Sequence, residues 1–333
     1  MNGHIASALV IVAALGVVGT YAASVAKPTC GGTTSSKNIN LVQPTNPPRE
    51  CEYHINAYSK NVCQLRIDFA MTLAQPTVQE REGTDQRYVE CTQDFFEVNG
   101  LRLCGVETWQ HIYVPFNATS GVSRIDLLIS LANRAGSTGL PTPEWDMTVT
   151  QLECPAGSSV RSVAEETETV DEEPLHPQAR ATITDGFFVA PPGCLQYFPQ
   201  ASGAVKSFNY NDGAGIYPSN LNYAICFRRT TATNALRIRM YYFHVGAEEV
   251  SGNLLTDNSC YHSGAASNPG DDFLMVPEAV LTESNEAATY FCGAIQKDAV
   301  ITSNNPGPLV VLFKSDEIYK AKEAGFAFTY TVE

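Results

Sequence analysis

The amino-acid sequence predicts an all-β protein made of two similar β-sandwich domains that are stapled by disulfides. Three observations lead to this prediction: short segments in which apolar and polar residues alternate, ten cysteines, and an order of motifs that occurs twice. Alternation with a period of two is typical of strands that bury one face. The 333 residues are enough for about two domains.

The segment 62–69 shows the alternation most clearly. Leu65, Ile67 and Phe69 alternate there with polar residues, so one face of the predicted strand points into a core. Clusters of Gly, Pro, Asn and Ser separate the strand segments, as is typical of a sandwich. Similar alternation occurs at 124–131, 147–152, 221–227, 236–243, 309–313 and 326–330.

The first 26 residues predict a secretory signal peptide. An apolar run from Ile5 to Val18 is followed by small residues, and cleavage is expected after Ala22 or Ala26. The alternative is an uncleaved membrane anchor, because the apolar region is long enough to cross a bilayer. After cleavage no membrane span would remain, and we therefore expect a secreted, extracellular protein.

All the cysteines follow this segment, and their number is even. In an exported chain this predicts disulfides. The spacing Cys-x-x-Cys does not occur, which argues against zinc-ribbon and thioredoxin-like sites. The ten residues are Cys30, Cys51, Cys63, Cys91, Cys104, Cys154, Cys194, Cys226, Cys260 and Cys292.

The distribution of cysteines and charges predicts the domain boundaries. Residues 155–190 contain no cysteine, and their acidic centre has almost nothing to bury, so we expect an exposed linker. The predicted order is a signal peptide at 1–26, a first domain at 27–154, the acidic linker at 155–190 and a second domain at 191–333. Proteolysis of such a linker would release two folded pieces.

The order of motifs in the first half recurs in the second half. Cys91 leads through an apolar strand to Cys104, and Cys260 leads in the same way to Cys292; a glycine follows each second cysteine. The distance between the copies exceeds 100 residues, which indicates a duplicated domain and not a short structural repeat.

This order of motifs resembles the CUB domain, a jelly-roll-like sandwich of extracellular proteins. The first half opens with Cys30-Gly31-Gly32, and the second half contains Tyr223-Ala-Ile-Cys226 and closes with Gly325-Phe326. The segments 62–69, 73–76 and 193–197 resemble, more narrowly, secreted CUB proteins of arthropods. The resemblance covers about residues 30–154 and 193–333 and implies two CUB domains in tandem.

The resemblance also implies how the cysteines pair. Its pairs are Cys30–Cys51, Cys91–Cys104, Cys194–Cys226 and Cys260–Cys292. Cys63 and Cys154 then remain, and we expect them to pair with each other. The positions that correspond to them in the second half hold Ala235 and Glu333, so both cysteines are missing there together. Such a bond requires the segment 62–69 to lie beside the closing strand of the first half.

No catalytic motif accompanies the predicted domains. None of the six histidines has the spacing of a zinc hydrolase, and no serine-hydrolase motif or phosphate loop occurs. We therefore expect a non-enzymatic protein without a cofactor or a bound metal. Some CUB domains bind calcium through one Glu and two Asp. The first half matches only Asp94, whereas the second half matches Asp272 and Asp316 without the Glu, which leaves a weak calcium site there as an alternative.

The charge excludes some partners. With 35 acidic residues against 21 Lys and Arg, the net charge of −14 argues against nucleic acids and anionic membrane surfaces. In a secreted chain, Asn117-Ala-Thr119 is an N-glycosylation sequon, and we expect Asn117 to carry a glycan.

The leading functional hypothesis is a binding or adaptor protein. Loops on two rigid sandwiches would hold an extracellular protein or glycan. One alternative is a structural or cargo protein of a secretion such as venom or seminal fluid. Another is a regulator of an extracellular CUB protease. A large exposed apolar patch would favour recognition of a partner.

Overall fold

The structure is a computed structural model that describes residues 25–116, 123–135, 139–154, 185–246, 254–260, 272–295, 298–320 and 323–333. Within these ranges the chain forms 22 strands and one short α-helix. The prediction of an all-β, disulfide-stapled fold is confirmed. No helix in the described ranges is long and apolar enough to cross a membrane. Most of the expected signal peptide, Asn117 and residues 155–184 lie outside the described residues.

The first half contains two five-stranded sheets and a separate hairpin. One sheet has the strand order β1-β3-β11-β8-β9, and the other has the order β10-β4-β12-β2, with β5 paired to β12. The strands are β1 (Thr33–Thr34), β2 (Asn38–Val42), β3 (Glu50–Asn56), β4 (Val62–Asp68), β5 (Met71–Thr72), β6 (Thr77–Glu80), β7 (Arg87–Glu90), β8 (Phe95–Val98), β9 (Leu101–Leu103), β10 (His111–Pro115), β11 (Arg124–Ser130) and β12 (Glu144–Glu153).

The second half begins with the helix α1 (Asp185–Phe188) and forms one continuously paired set of ten strands. Its main strand order is β13-β15-β21-β18-β19-β16-β22-β14. In addition, β17 pairs with β19, and β20 pairs with β16 and β18. The strands are β13 (Cys194–Phe198), β14 (Ser202–Lys206), β15 (Asn222–Phe227), β16 (Leu236–Val245), β17 (Leu254–Thr256), β18 (Phe273–Leu281), β19 (Glu286–Ile295), β20 (Val300–Ser303), β21 (Leu309–Lys314) and β22 (Gly325–Val332).

The apolar and polar residues that alternate in the sequence correspond to side chains that are alternately buried and exposed along the strands. Leu65 and Ile67 of β4 are fully buried, as are Tyr53 and Ile55 of β3. The residues between them point outward and are exposed or half-buried. Each strand therefore contributes one apolar face to the core, and burial of these side chains supplies most of the favourable free energy of folding.

The ten cysteines form five disulfides. The pairs are Cys30–Cys51, Cys63–Cys154, Cys91–Cys104, Cys194–Cys226 and Cys260–Cys292. The strands β4 and β12 are antiparallel neighbours, and the Cα atoms of Cys63 and Cys154 lie 5.7 Å apart. In the second half, Ala235 and Glu333 exchange two backbone hydrogen bonds of 2.9 Å. Backbone pairing thus joins the two positions that a disulfide joins in the first half.

The end of the expected linker differs from the prediction, because residues 185–190 are half-buried or buried. The side-chain amide of Gln64 donates to the carbonyl oxygen of Ala190 at 2.7 Å and accepts from its N–H at 2.9 Å. Lys37 donates to the carboxylate of Asp185 at 2.6 Å. The segment 155–190 was predicted to be exposed because most of it is acidic. Its last residues, however, are apolar and pack against the first half.

Candidate functional site

The loop that joins β9 to β10 lies at the junction of the two halves. Its backbone is fixed by hydrogen bonds to the segment around β5: Glu107 donates to the carbonyl oxygen of Met71 at 2.9 Å, and Trp109 donates to that of Phe69 at 3.0 Å. Gly105 has a φ of +79°, which glycine adopts without steric cost. The loop is therefore a rigid part of the first half.

Asn209 of the second half inserts into this loop. Its Oδ1 accepts from the N–H of Val106 at 3.0 Å, and its Nδ2 donates to Gln75 Oε1 at 2.9 Å. Its backbone N–H donates to Glu107 Oε1 at 3.0 Å. A Cβ atom on Gly105 would lie 2.0 Å from Asn209 Oδ1, so only glycine leaves room for this contact.

Two adjacent side chains at the start of β10 extend the junction. Gln110 donates from Nε2 to the carbonyl oxygen of Ser207 at 2.7 Å and accepts at Oε1 from Gln196 at 3.0 Å. His111 Nε2 lies 3.0 Å from the carbonyl oxygen of Tyr197. Burial, together with the nearby positive charge of Arg66, lowers the pKa of His111 to about 4, so this imidazole is neutral at neutral pH.

Glu107 is the second titratable group of the junction. Burial raises its pKa well above the usual range, against the opposing effect of the hydrogen bond from Asn209. Among the described atoms, its Oε2 has no hydrogen-bond partner. Burial therefore favours the protonated, uncharged form of this carboxyl group, because burying an unpaired charge is costly.

Contacts at the rim join the halves a second time. The N–H of Ser219 donates to the carbonyl oxygen of Val89 at 3.0 Å, and its Oγ accepts from the N–H of Val89 at 2.9 Å. The guanidinium of Arg81 forms an exposed, bidentate ion pair with Glu317. Such exposed pairs contribute little stability, so the buried network around Asn209 provides most of the polar stabilisation.

Trp109 points away from this network into solvent. Trp109 is 89% exposed, the highest value among the large apolar residues that the structure describes. Its φ of +70° is rare for a bulky side chain, and backbone strain of this kind is concentrated at functional sites. The flanking residues Glu107 and Gln110 are buried in the junction, so the loop presents one aromatic side chain on a fixed support.

One depression is lined by Trp109, and a second is lined by the preceding residue, Thr108. The first, of about 200 Å³, is lined by Trp109 itself and by Lys206, Tyr210 and Asp212 of the second half. The second, of about 300 Å³, is lined by Thr108 and residues of the first half. We call this region the Trp109 surface: Thr108, Trp109 and Gln110 with Lys206, Tyr210, Asn211 and Asp212. It combines an exposed aromatic side chain with polar side chains from both halves.

The structure shows what Asp94 contacts, the one residue of the first half that matches the calcium-binding pattern and that we did not expect to bind calcium. Asp94 is buried and forms a bidentate ion pair with Arg134, with distances of 2.6 and 2.7 Å. It also accepts backbone hydrogen bonds from Ala74 and Ala132. Desolvation alone would raise the pKa of Asp94, but the hydrogen bonds from Arg134 and the two N–H groups lower it overall. Asp94 therefore holds loops of the first half together.

In the second half, the structure brings Asp272 and Asp316 together. Asp272 accepts from the N–H of Asp316 and from the hydroxyl of Tyr217, both at 2.5 Å. Glu323, which no motif in the sequence marks, is buried beside them. Burial and the neighbouring charge of Asp272 raise the pKa of Glu323 to about 9. Glu323 lies seven residues after Asp316, with no periodic pattern to connect it to the pair, so the sequence alone did not mark it.

Comparison with family models finds a match in the second half of the chain. Residues 191–333 match the family model of the animal CUB domain. No curated protein matches the sequence. This family match supports an extracellular protein-interaction module in the second half.

Solved structures that contain CUB domains also match, at low similarity. The "CUB1-EGF-CUB2 domain of HUMAN MASP-1/3" is 11% identical, with 90% of this chain and 100% of that chain covered and a TM-score of 0.27. The "CUB1-EGF-CUB2 domains of rat MASP-1" are 12% identical, with 92% and 100% covered and a TM-score of 0.25.

Proposed function

We propose that this protein is a secreted, non-enzymatic binding protein that holds an extracellular protein partner on the Trp109 surface. The family match of residues 191–333 supports an interaction module, and five disulfides are typical of proteins that fold in an oxidising compartment. The observation that carries the proposal is Trp109 itself, an aromatic side chain that is almost fully exposed on a rigid loop between the two halves.

The proposal includes the domain organisation expected from the sequence. After removal of a signal peptide at 1–26, a CUB domain at 27–154 and a second one at 191–333 would act as one unit. The order of cysteine motifs, which occurs in both halves of the sequence, supports a CUB domain at 27–154. The packing of the halves around Asn209 supports their joint action. Glycosylation of Asn117 remains part of the proposal.

Pre-organisation of the loop around Trp109 favours a high affinity for the partner. A partner that binds a mobile loop must first restrict it, which reduces the net affinity. The loop around Trp109 is already fixed by hydrogen bonds to Phe69 and Met71 and by the insertion of Asn209. Truncation of a central aromatic anchor typically costs at least about 2 kcal/mol, which corresponds to about a 30-fold loss of affinity.

Affinity capture tests the proposal. The mature chain is immobilised and exposed to the extracellular fluid into which the protein is exported. Three baits are compared: the wild type, the variant Trp109→Ala and the control Tyr58→Ala, which removes another exposed aromatic side chain of the first half. We expect the wild type and Tyr58→Ala to retain the same protein and Trp109→Ala to lose it.

Equal recovery on Trp109→Ala would refute the assignment of this surface. Loss of capture after enzymatic removal of glycans from the fluid would identify a glycan as the ligand, contrary to the proposal. A captured protease would favour the alternative of a protease regulator. Failure of every bait to retain any component would favour a structural or cargo role in the secretion.

A further inference from the structure

Three side chains with metal-binding atoms converge on the outer face of a sheet in the first half. On β3, Tyr53 points into the core, whereas Glu52 and His54 point outward. On the neighbouring strand β11, Asp126 also points outward, and it is the direct antiparallel partner of His54. The period of the two strands and their register therefore place these three side chains on one patch.

The ligand atoms of the three side chains lie close to one another. His54 Nδ1 lies 2.7 Å from Asp126 Oδ1 and 3.9 Å from Glu52 Oε1, and one ligand atom from each residue lies within 4.8 Å of the others. Zinc–ligand bonds of about 2.0–2.2 Å at the tetrahedral angle place ligand atoms about 3.3–3.6 Å apart. To reach this spacing, His54 and Asp126 must move apart by somewhat less than about 1 Å, and the exposed Glu52 side chain must rotate toward His54.

Arg124 contacts two of the three side chains. Its Nε donates to Asp126 Oδ1, and its Nη2 contacts His54 Nδ1. A single imidazole nitrogen cannot both donate to Asp126 and accept from Arg124. If Nδ1 accepts from Arg124, its lone pair also faces a carboxylate oxygen at 2.7 Å. A cation bound to both atoms removes this conflict, because it uses the same lone pair and neutralises the two carboxylates.

We propose that Glu52, His54 and Asp126 form a surface site for a divalent transition-metal ion of the zinc type. One imidazole nitrogen with two carboxylate oxygens is a donor set that suits zinc, whereas calcium takes six to eight oxygen ligands. Three protein ligands leave at least one coordination position for water. Arg124 lies at the start of β11 with an exposed side chain, so its guanidinium has room to turn toward solvent when the ion binds. The site is separate from Asp272 and Asp316 and from the Trp109 surface.

Zinc titration of the full mature chain tests the site. Isothermal titration calorimetry at pH 7.4 should detect a zinc site in the wild type. His54→Gln and Asp126→Asn should each weaken it at least about tenfold, because each removes one of three ligands. Arg124→Ala should strengthen it by removing the competing cation. Arg102→Ala is the matched control: Arg102 pairs with Glu97 in the same sheet, so its loss should leave zinc affinity unchanged.

Thermal unfolding provides a second readout. Zinc should raise the unfolding temperature of the wild type and of Arg102→Ala, but not that of His54→Gln. Zinc that binds elsewhere on the chain persists in both ligand variants, so the difference between variants isolates this site. Absence of zinc binding by the wild type, or unchanged affinity in both His54→Gln and Asp126→Asn, would overturn the proposal.

Discussion

Gly105 and Asn209 are in contact across the junction of the two halves, with no room for a side chain at position 105: a Cβ atom there would lie 2.0 Å from Asn209 Oδ1. The contact places the amide of Asn209 where it bonds both the backbone of Val106 and the side chain of Gln75. One glycine in the first half and one asparagine in the second thus determine how closely the halves approach.

Gly105→Ala should therefore destabilise the protein by a few kcal/mol, because the added methyl group displaces Asn209 and leaves its buried hydrogen-bonding partners unpaired. The matched control is Gly100→Ala. Gly100 has a similar φ of +81°, but a Cβ there would meet no atom within 4 Å. The two variants share the backbone strain and differ in the clash. Denaturant unfolding should show a clearly larger loss for Gly105→Ala, and equal losses would contradict the importance of this contact.

The junction changes what is expected from cleavage between the halves. Two domains on an exposed linker would separate, but the network around Asn209, Gln110 and His111 should hold them together. A protease site inserted between residues 165 and 175 permits specific cleavage. At neutral pH the two fragments should elute together in size-exclusion chromatography under non-denaturing conditions. Separate elution of two folded fragments would show that the junction is too weak to join the halves.

Acidification should weaken the same junction. The pKa of His111 falls from 6.5 to about 4 in the folded protein. A depressed pKa of a base means that the unfolded chain binds more protons, so the contribution of His111 is present above pH 6.5 and is lost as the pH falls toward 4. In His111→Gln the association of the cleaved fragments should depend less on pH in this window. An identical pH dependence in the variant would exclude His111 as the cause.

Glu323 should give the second half the opposite pH dependence. Burial is the main reason that its pKa is raised from the usual 4.5 to about 9. Its contribution is therefore fully present below pH 4.5 and is lost as the pH rises through 9. Glu323→Gln should reduce this loss, and the exposed control Glu283→Gln should not. The measurement is the free energy of unfolding between pH 5 and pH 9; equal slopes in all three proteins would contradict the assignment.

The disulfide between Cys63 and Cys154 joins the start of β4 to the residue that follows β12, at the end of the first half. Replacement of both cysteines by Ala should lower stability by about 2–4 kcal/mol, because the unfolded chain gains conformational freedom. Peptide mapping without reduction should recover a peptide pair that contains these two residues. Recovery of Cys51 linked to Cys63 would contradict the structure.

The sequence predicted those features that repeat along the chain. Alternation revealed the strands because burial follows the same period of two, as at Leu65 and Ile67. The absence of cysteine from both Ala235 and Glu333 indicated the pairing of Cys63 with Cys154, because a disulfide needs two partners. The strands could be predicted because burial repeats every second residue, and the disulfide because each cysteine needs one partner.

The junction was not predictable in this way. Glu107, Gln110 and Asn209 are single polar residues in loops, and nothing in their local sequence distinguishes a buried amide from an exposed one. Residues 185–190 were assigned to the linker because the acidic residues before them dominated the composition. Trp109 carried no signal either, since an isolated aromatic residue more often belongs to a core than to a surface.

Hydroxyl-radical footprinting of Trp109 tests the central proposal most directly. The mature protein is oxidised alone and in complex with the partner that it captures, and the products are located by mass spectrometry. The account predicts rapid oxidation of Trp109 in the protein alone, since its residue is 89% exposed, and strong protection in the complex. Tyr58 should be oxidised equally in both samples. Equal oxidation of Trp109 in both samples, with protection at other residues, would contradict the proposed binding surface.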